Sequence, residues 1–297
     1  MIARKASAPL ALAGIALAAL AAPAHAKPVV LKPTTNWNVD YGDEVCALTR
    51  IFGEGKNRHL LTLRQYWPSG EAGVIVAGPA FQNFANFEKT RFRVSADDPE
   101  RVVRPMKGSA GSFGPAVIFS TISFTGDQPA PNTPDSPEAK PALEQLAAAD
   151  GEKVQYLEVQ QGWRIIRFDT GPLTEAFRVM NDCTAALAKD WGLEPERLRT
   201  ALNGPRLVDE AAVIKAIVAR YPRGAQAIGE QGVMRLRMIV SPQGEVEECT
   251  LVKATATSKL ESPACEVMQA ATFEPARDAT GEPIRAFSAT SITYVIE

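Results

Sequence analysis

The chain has 297 residues, 45% hydrophobic and 22% charged, with a formal net charge of −2. That is ordinary globular composition, with room for about two domains of ~100–200 residues each. The charge is balanced and shows no basic run or pole, which argues against a nucleic-acid partner. At the N-terminus, Arg4 and Lys5 precede the apolar run "APLALAGIALAALAAPA", and "AHA" stands just before Lys27. Charge, apolar run and small-x-small tripeptide together read as a signal peptide over residues 1–26 that is cleaved on export. The alternative is a retained membrane anchor. The segment is rich in Ala, is broken by Pro23, and falls short of the ~20 strongly apolar residues of a span.

Residues 36–125 read as β-rich. "HLLTLRQYW" (59–67), "AGVIVAG" (72–78), "TRFRVSA" (90–96) and "AVIFSTISF" (116–124) alternate in part, with Gly, Pro, Asn and Asp between them. "FTGDQPAPNTPDSPEAKPA" (124–142) reads as an exposed loop or short linker. "YLEVQQGWRIIRFDTG" (156–171) predicts two strands around Gln161-Gly162. A helix follows over 172–192, begun by Pro172 and stopped by Gly192. Its apolar face is Leu173, Phe177, Met180, Thr184, Leu187 and Trp191, at steps of three and four residues. Residues 27–204 thus form an α+β domain, a sheet with a packed helix, of no recognised family. Trp67, Trp163 and Trp191 are expected in its core, and Trp37 nearer the surface.

"LNGPRL" (202–207) is a breaker cluster between two helical patterns, and it sets a domain boundary at residue 205. A helix is predicted over 207–222, capped by Asp209 and ended by Pro222, with Ile214, Ile217, Val218 and Tyr221 facing inward. In "GVMRLRMIVSP" (232–242), Met234, Leu236, Met238 and Val240 share one face and Arg235 and Arg237 the other. Ser241-Pro242-Gln243-Gly244 is a turn, and 245–254 returns as a second strand. A helix over 258–273 points Leu260, Ala264, Val267, Met268 and Ala271 inward. "FEPARDATGEPI" (273–284) is a joint of prolines and a glycine that delivers the last strand, 284–297.

The four cysteines are Cys46, Cys183, Cys249 and Cys265, with no CxxC pair. In an exported chain an even number of scattered cysteines reads as disulfides. Three connectivities exist. Spacing favours Cys46–Cys183 and Cys249–Cys265, one in each half; the alternative is buried free thiols.

Tyr221-Pro222, Gly232-Val233 opening a strand, Gly244 and Val246 in the hairpin, and Phe273, Pro275 and Ala276 after the helix resemble the C-terminal domain of TonB-type energy transducers. Ser241 departs from the family's usual Asp. The resemblance covers the last quarter to third of the chain. It implies a small α/β sandwich of order helix-strand-strand-helix-strand, located in the periplasm. It also implies that an extended peptide from an envelope or outer-membrane transport protein adds to the final strand. Ser288, Thr290, Ile292 and Tyr294, which share one face of that strand, are then the partner-binding residues. The same edge offers a homodimer contact. The bland reading is a strand satisfied by its own neighbours. Two features speak against a full transducer: the cleavable N-terminus, and the lack of a long Pro-rich spacer.

Motifs for chemistry are sparse. Beyond the signal only His59 remains, in a strand-like stretch with no GxSxG anywhere, so a Ser-His-Asp triad has no support. One histidine and four oxidised cysteines do not make a zinc site. "GSAGSFG" (108–114) lacks the Lys-Ser/Thr of a phosphate cradle and reads as a flexible loop. Asp97-Asp98 and Glu247-Glu248 read as solvated surface. The expectation is a non-enzymatic periplasmic interaction protein without metal or small-molecule cofactor. The alternatives are an inner-membrane-anchored transducer and an envelope hydrolase whose carboxylates lie in the first domain.

Overall fold

The computed structural model describes residues 27–124, 141–255 and 257–294. The signal-like segment 1–26 and most of the Pro-rich stretch 124–142 lie outside the described residues. After β1 (Val29–Leu31), the strands β2 (Asn38–Tyr41), β3 (Cys46–Phe52), β4 (His59–Gln65) and β5 (Glu71–Ala77) follow as antiparallel neighbours. β6 (Thr90–Arg93) pairs with β7 (Arg101–Val103), and β8 (Met106–Ser109) with β9 (Pro115–Ser123). A short helix, α1 (Ala148–Lys153), leads to the hairpin of β10 (Leu157–Gln161) and β11 (Arg164–Phe168). Two helices close this half, α2 (Thr174–Asp190) and α3 (Pro195–Arg199).

Two sheets result, of order β2-β3-β4-β5-β9-β8 and β1-β11-β10-β6-β7. Period-2 alternation gives each an apolar face. Leu61, Leu63, Val74 and Val76 of the first sheet share one core with Phe92, Leu157, Val159, Ile166 and Phe168 of the second. α2 adds to it the stripe its spacing predicts: Leu173, Phe177, Met180, Thr184 and Leu187 are all buried. Cys183 on α2 is bonded to Cys46 on β3, with Cα atoms 6.0 Å apart.

Three expectations for this half are corrected. Trp163 is 72% exposed, because it sits at the tip of the β10–β11 hairpin, where it lies under the Arg164 guanidinium instead of in the core. Asp98 is not solvated surface; its carboxylate binds the buried Arg101 through both oxygens and accepts from the Val94 N–H at 3.1 Å. Residues 108–114 are not a loose loop: they close β8 and turn into β9, with the Ala110 N–H donating to the Gly114 carbonyl.

The second half runs β12 (Arg206–Leu207), α4 (Glu210–Val218), α5 (Arg223–Ala227), β13 (Gly232–Val240) and β14 (Val246–Lys253). Then come α6 (Ala264–Met268), the short strands β15 (Phe273–Glu274), β16 (Ala276–Arg277) and β17 (Pro283–Ile284), and β18 (Ala286–Tyr294). The long elements keep the expected order of helix, strand, strand, helix, strand. The sheet has order β14-β13-β18, wholly antiparallel. Cys249 on β14 is bonded to Cys265 on α6.

The motif residues of this half meet in space. Gly244 in the β13–β14 turn has φ +83°, and its carbonyl accepts from the Phe273 N–H at 2.9 Å. A Cβ there would stand 2.0 Å from the Phe273 carbonyl oxygen, so only glycine fits. Ser241 takes the place of the family's Asp as a turn acceptor: its Oγ receives the N–H groups of Gln243 and Glu245 at 3.2 and 3.1 Å. The stretch 273–284 is a small hairpin turning at Gly281. Asp278 ties it down, accepting from the Thr280 and Glu282 N–H groups on one oxygen and from Arg197 of α3 on the other. Arg197 first, then the Thr280 hydroxyl, hold this carboxyl well below the usual carboxylate range.

Both predicted helices of this half are shorter than expected. Leu207 belongs to a strand that pairs with β15, and Asp209 is left-handed with no side-chain cap bond. Ile214 and Val218 are 51% and 65% exposed; Ile217 faces inward as expected, and Val213 joins it in their place. The apolar run "AAVI" spans more than one face, so its period does not choose between them. The helix predicted over 258–273 begins only at Ala264, because Pro263 can open a helix but not continue one. Leu260 is buried before it, beside Met234 and Tyr294.

Candidate functional site

β18 pairs with β13 on one side only, from Gly232 opposite Tyr294 to Val240 opposite Ala286. Among the described residues its other edge carries no strand. Ser288, Thr290, Ile292 and Tyr294 lie opposite Met238, Leu236, Met234 and Gly232, so they share the face turned to α4 and α6. Their surroundings differ. Thr290 is exposed and Ser288 half-buried, while Ile292 packs partly against the core. Tyr294 is core: its ring stands edge-on to Tyr221 at 5.0 Å and its hydroxyl meets that of Ser262 at 2.7 Å. It therefore contributes backbone to the edge, not side chain.

A groove of about 820 Å³ lies against this strand. Phe287, Ser288, Ala289, Thr290 and Ser291 all line it. Consecutive residues point to opposite faces, so a wall made of five in a row is the edge itself. Tyr66, Trp67, Pro68 and Ser69, which join β4 to β5, line it as well, together with Arg64 on β4 and Arg235 on β13. These residues escaped the sequence reading. The one available signal was the Arg-x-Arg of β13, an alternation that gives the strand a polar second face.

That second face is covered. β13 is buried along its whole length, with Arg235 at 7% and Arg237 at 6% exposure. Arg237 donates to Glu44 at 2.9 Å, stands 3.5 Å from Glu248 and stacks over Trp191. Arg235 donates to the Ser120 carbonyl at 2.6 Å and to the Ser291 hydroxyl, and lies near the rings of Tyr66 and Trp67. Burial, the largest influence, lowers its pKa from the ordinary arginine value. Phe287 meets Trp191 at 5.7 Å on the same face. The first half of the chain thus roofs the small sheet and forms the far wall of the groove.

His59 lies elsewhere. It is buried, its Nδ1 donates to the Asn57 carbonyl at 2.7 Å, and its bare Nε2 accepts from the Ala80 N–H at 3.2 Å. The ring is held neutral, and burial pushes its pKa below the ordinary ~6.5. The unfolded chain therefore binds more protons just below pH ~6.5, and stability falls as the pH drops through that value. Melts from pH 8 to 5 are expected to show the decline, and His59→Gln to flatten it. A pH profile unchanged by the substitution would remove His59 as its cause.

Residues 218–296 match the family model of the Gram-negative bacterial TonB protein C-terminal. The match covers the small sheet and stops short of the first half. No curated protein matches the chain. The C-terminal part is thus TonB-like, similar to a periplasmic domain family related to envelope transport. Among the described residues no helix is long and apolar enough to cross a membrane.

Proposed function

We propose that this chain is a non-enzymatic periplasmic protein that binds an envelope or outer-membrane partner by adding the partner's extended segment to β18. The observation behind this reading is the open edge of β18 lining a groove instead of facing bulk solvent. An unpaired edge presents a row of backbone donors and acceptors, which gives main-chain affinity to any extended segment. Export by cleavage of residues 1–26 belongs to the same proposal, and so does homodimer formation through the same edge as a competing use of it.

The test is proline at two consecutive positions, Thr290→Pro and Ser291→Pro. Backbone donors alternate along a strand, so one of the two points to β13 and the other to the groove. The inward proline removes a ladder hydrogen bond to β13 and is expected to melt well below wild type. The outward proline is tolerated at an edge. It should melt near wild type and yet lose the partners crosslinked from envelope extract. If both variants unfold, or both keep every partner, strand addition at β18 is wrong.

A hydrolase reading draws on Glu71 and Glu144, two carboxylates lining the same groove. The Glu144 carboxylate accepts from the Gly70 N–H at 3.4 Å, a holding role that favours the binding reading.

A further inference from the structure

Arg235 and Arg237 offer an internal comparison. They sit two residues apart on one face of β13 and are equally buried. A buried cation is normally paired, because desolvation disfavours the charged form. Arg237 has its carboxylates in Glu44 and Glu248. Among the described residues Arg235 has neutral partners alone, a hydroxyl, a carbonyl and two aromatic rings. Its Nε has no partner among the described residues, and neither has the Nε of Arg64 or of Arg237, so the two arginines of β13 differ in their carboxylates alone. Both arginines line the groove beside β18. Glu71 and Glu144 line it too, but each is engaged by other groups of the chain.

We infer that the strand added at β18 carries an aspartate or glutamate whose carboxylate enters the groove to pair with Arg235 and Arg64. The position follows from register. Arg235 lies directly across from Ser291, and side chains opposite one another on adjacent antiparallel strands share a face. The acidic residue is therefore the one that comes to lie opposite Ser291. Its immediate neighbours fall on the Thr290 face, away from both arginines. Planar guanidinium groups recognise carboxylates in two-pronged fashion, so the arrangement selects an acid over its amide. This inference rests on strand addition as the mode of binding.

The probe is a display library of random nine-residue peptides, selected on the immobilised full chain. The selected peptides are expected to share Asp or Glu at one aligned position. Replacing that residue by Asn or Gln in a synthetic peptide should weaken binding about tenfold, as for loss of a charge-assisted hydrogen bond. In Arg235→Gln and in Arg64→Gln the acid peptide and its amide twin should bind within about twofold of each other. Arg64→Gln breaks no described side-chain bond, so it keeps the test decisive if Arg235→Gln melts. Selected peptides without acidic preference, or twins that bind alike, overturn the inference while leaving strand addition intact. Acidic peptides that bind equally to both proline variants at 290 and 291 sink strand addition, and with it the placement opposite Ser291. A library that yields no binder sinks both.

Discussion

Removing the bond between Cys46 and Cys183 by paired alanine substitution is expected to lower the unfolding free energy by about 5 kcal/mol in the chain-entropy account. The bond closes a loop of 137 residues and ties β3 to α2 across the main core. The same treatment of Cys249 and Cys265, separated by 16 residues, should cost about 3 kcal/mol. Both cysteines of the first pair are buried, so their loss also leaves small voids, which widens the gap between the two variants. Denaturant melts of the two double variants under identical buffer decide the matter. A reversed order, or equal losses, would show that the long loop is already restrained in the unfolded chain.

The second large effect concerns the boundary at residue 205. A fragment starting at Arg206 keeps the sheet β14-β13-β18 and the Cys249–Cys265 bond. It loses the roof over the second face of β13. Ile239 and Phe287 are buried there among residues of the first half, including Leu193, Leu198 and Trp191. Exposing two such side chains costs about 3–6 kcal/mol. The fragment is therefore expected to fold under oxidising conditions but to melt well below the full chain. Adding back residues 27–204 as a separate fragment should raise its melting temperature. A fragment as stable as the full chain would mean that the contact between the halves contributes little; one that does not fold would mean that the boundary is not a domain boundary.

Much of this molecule is legible in its local patterns. The stripe of α2 is spaced as a helix buried on one side must be, and the alternation of β13 marks a strand. Gly244 and Phe273 sit far apart in sequence, yet their place in a recurring order points to the small sheet, whose turn they close together. The cysteine spacing favours the two bonds that form. What local pattern does not carry is what covers a second face. "MRLRM" reads the same whether its arginines meet water or Trp191, Glu44 and Ser120, all contributed from more than forty residues away in the chain. The run "AAVIKAIV" is apolar nearly all round, so Val213 and Ile217 rather than Ile214 and Val218 turn inward only because α6 lies on that side. Trp163 is apolar enough for a core, yet a two-residue hairpin tip cannot be buried by its own strands. The groove itself is a tertiary object, made where the turn after β4 faces the open edge of β18. Periodicity reports how one segment divides its faces between apolar and polar. Which surface then meets a polar face, and whether a buried cation finds a carboxylate there, depends on contacts between segments distant in the chain, and only the packed structure decides it.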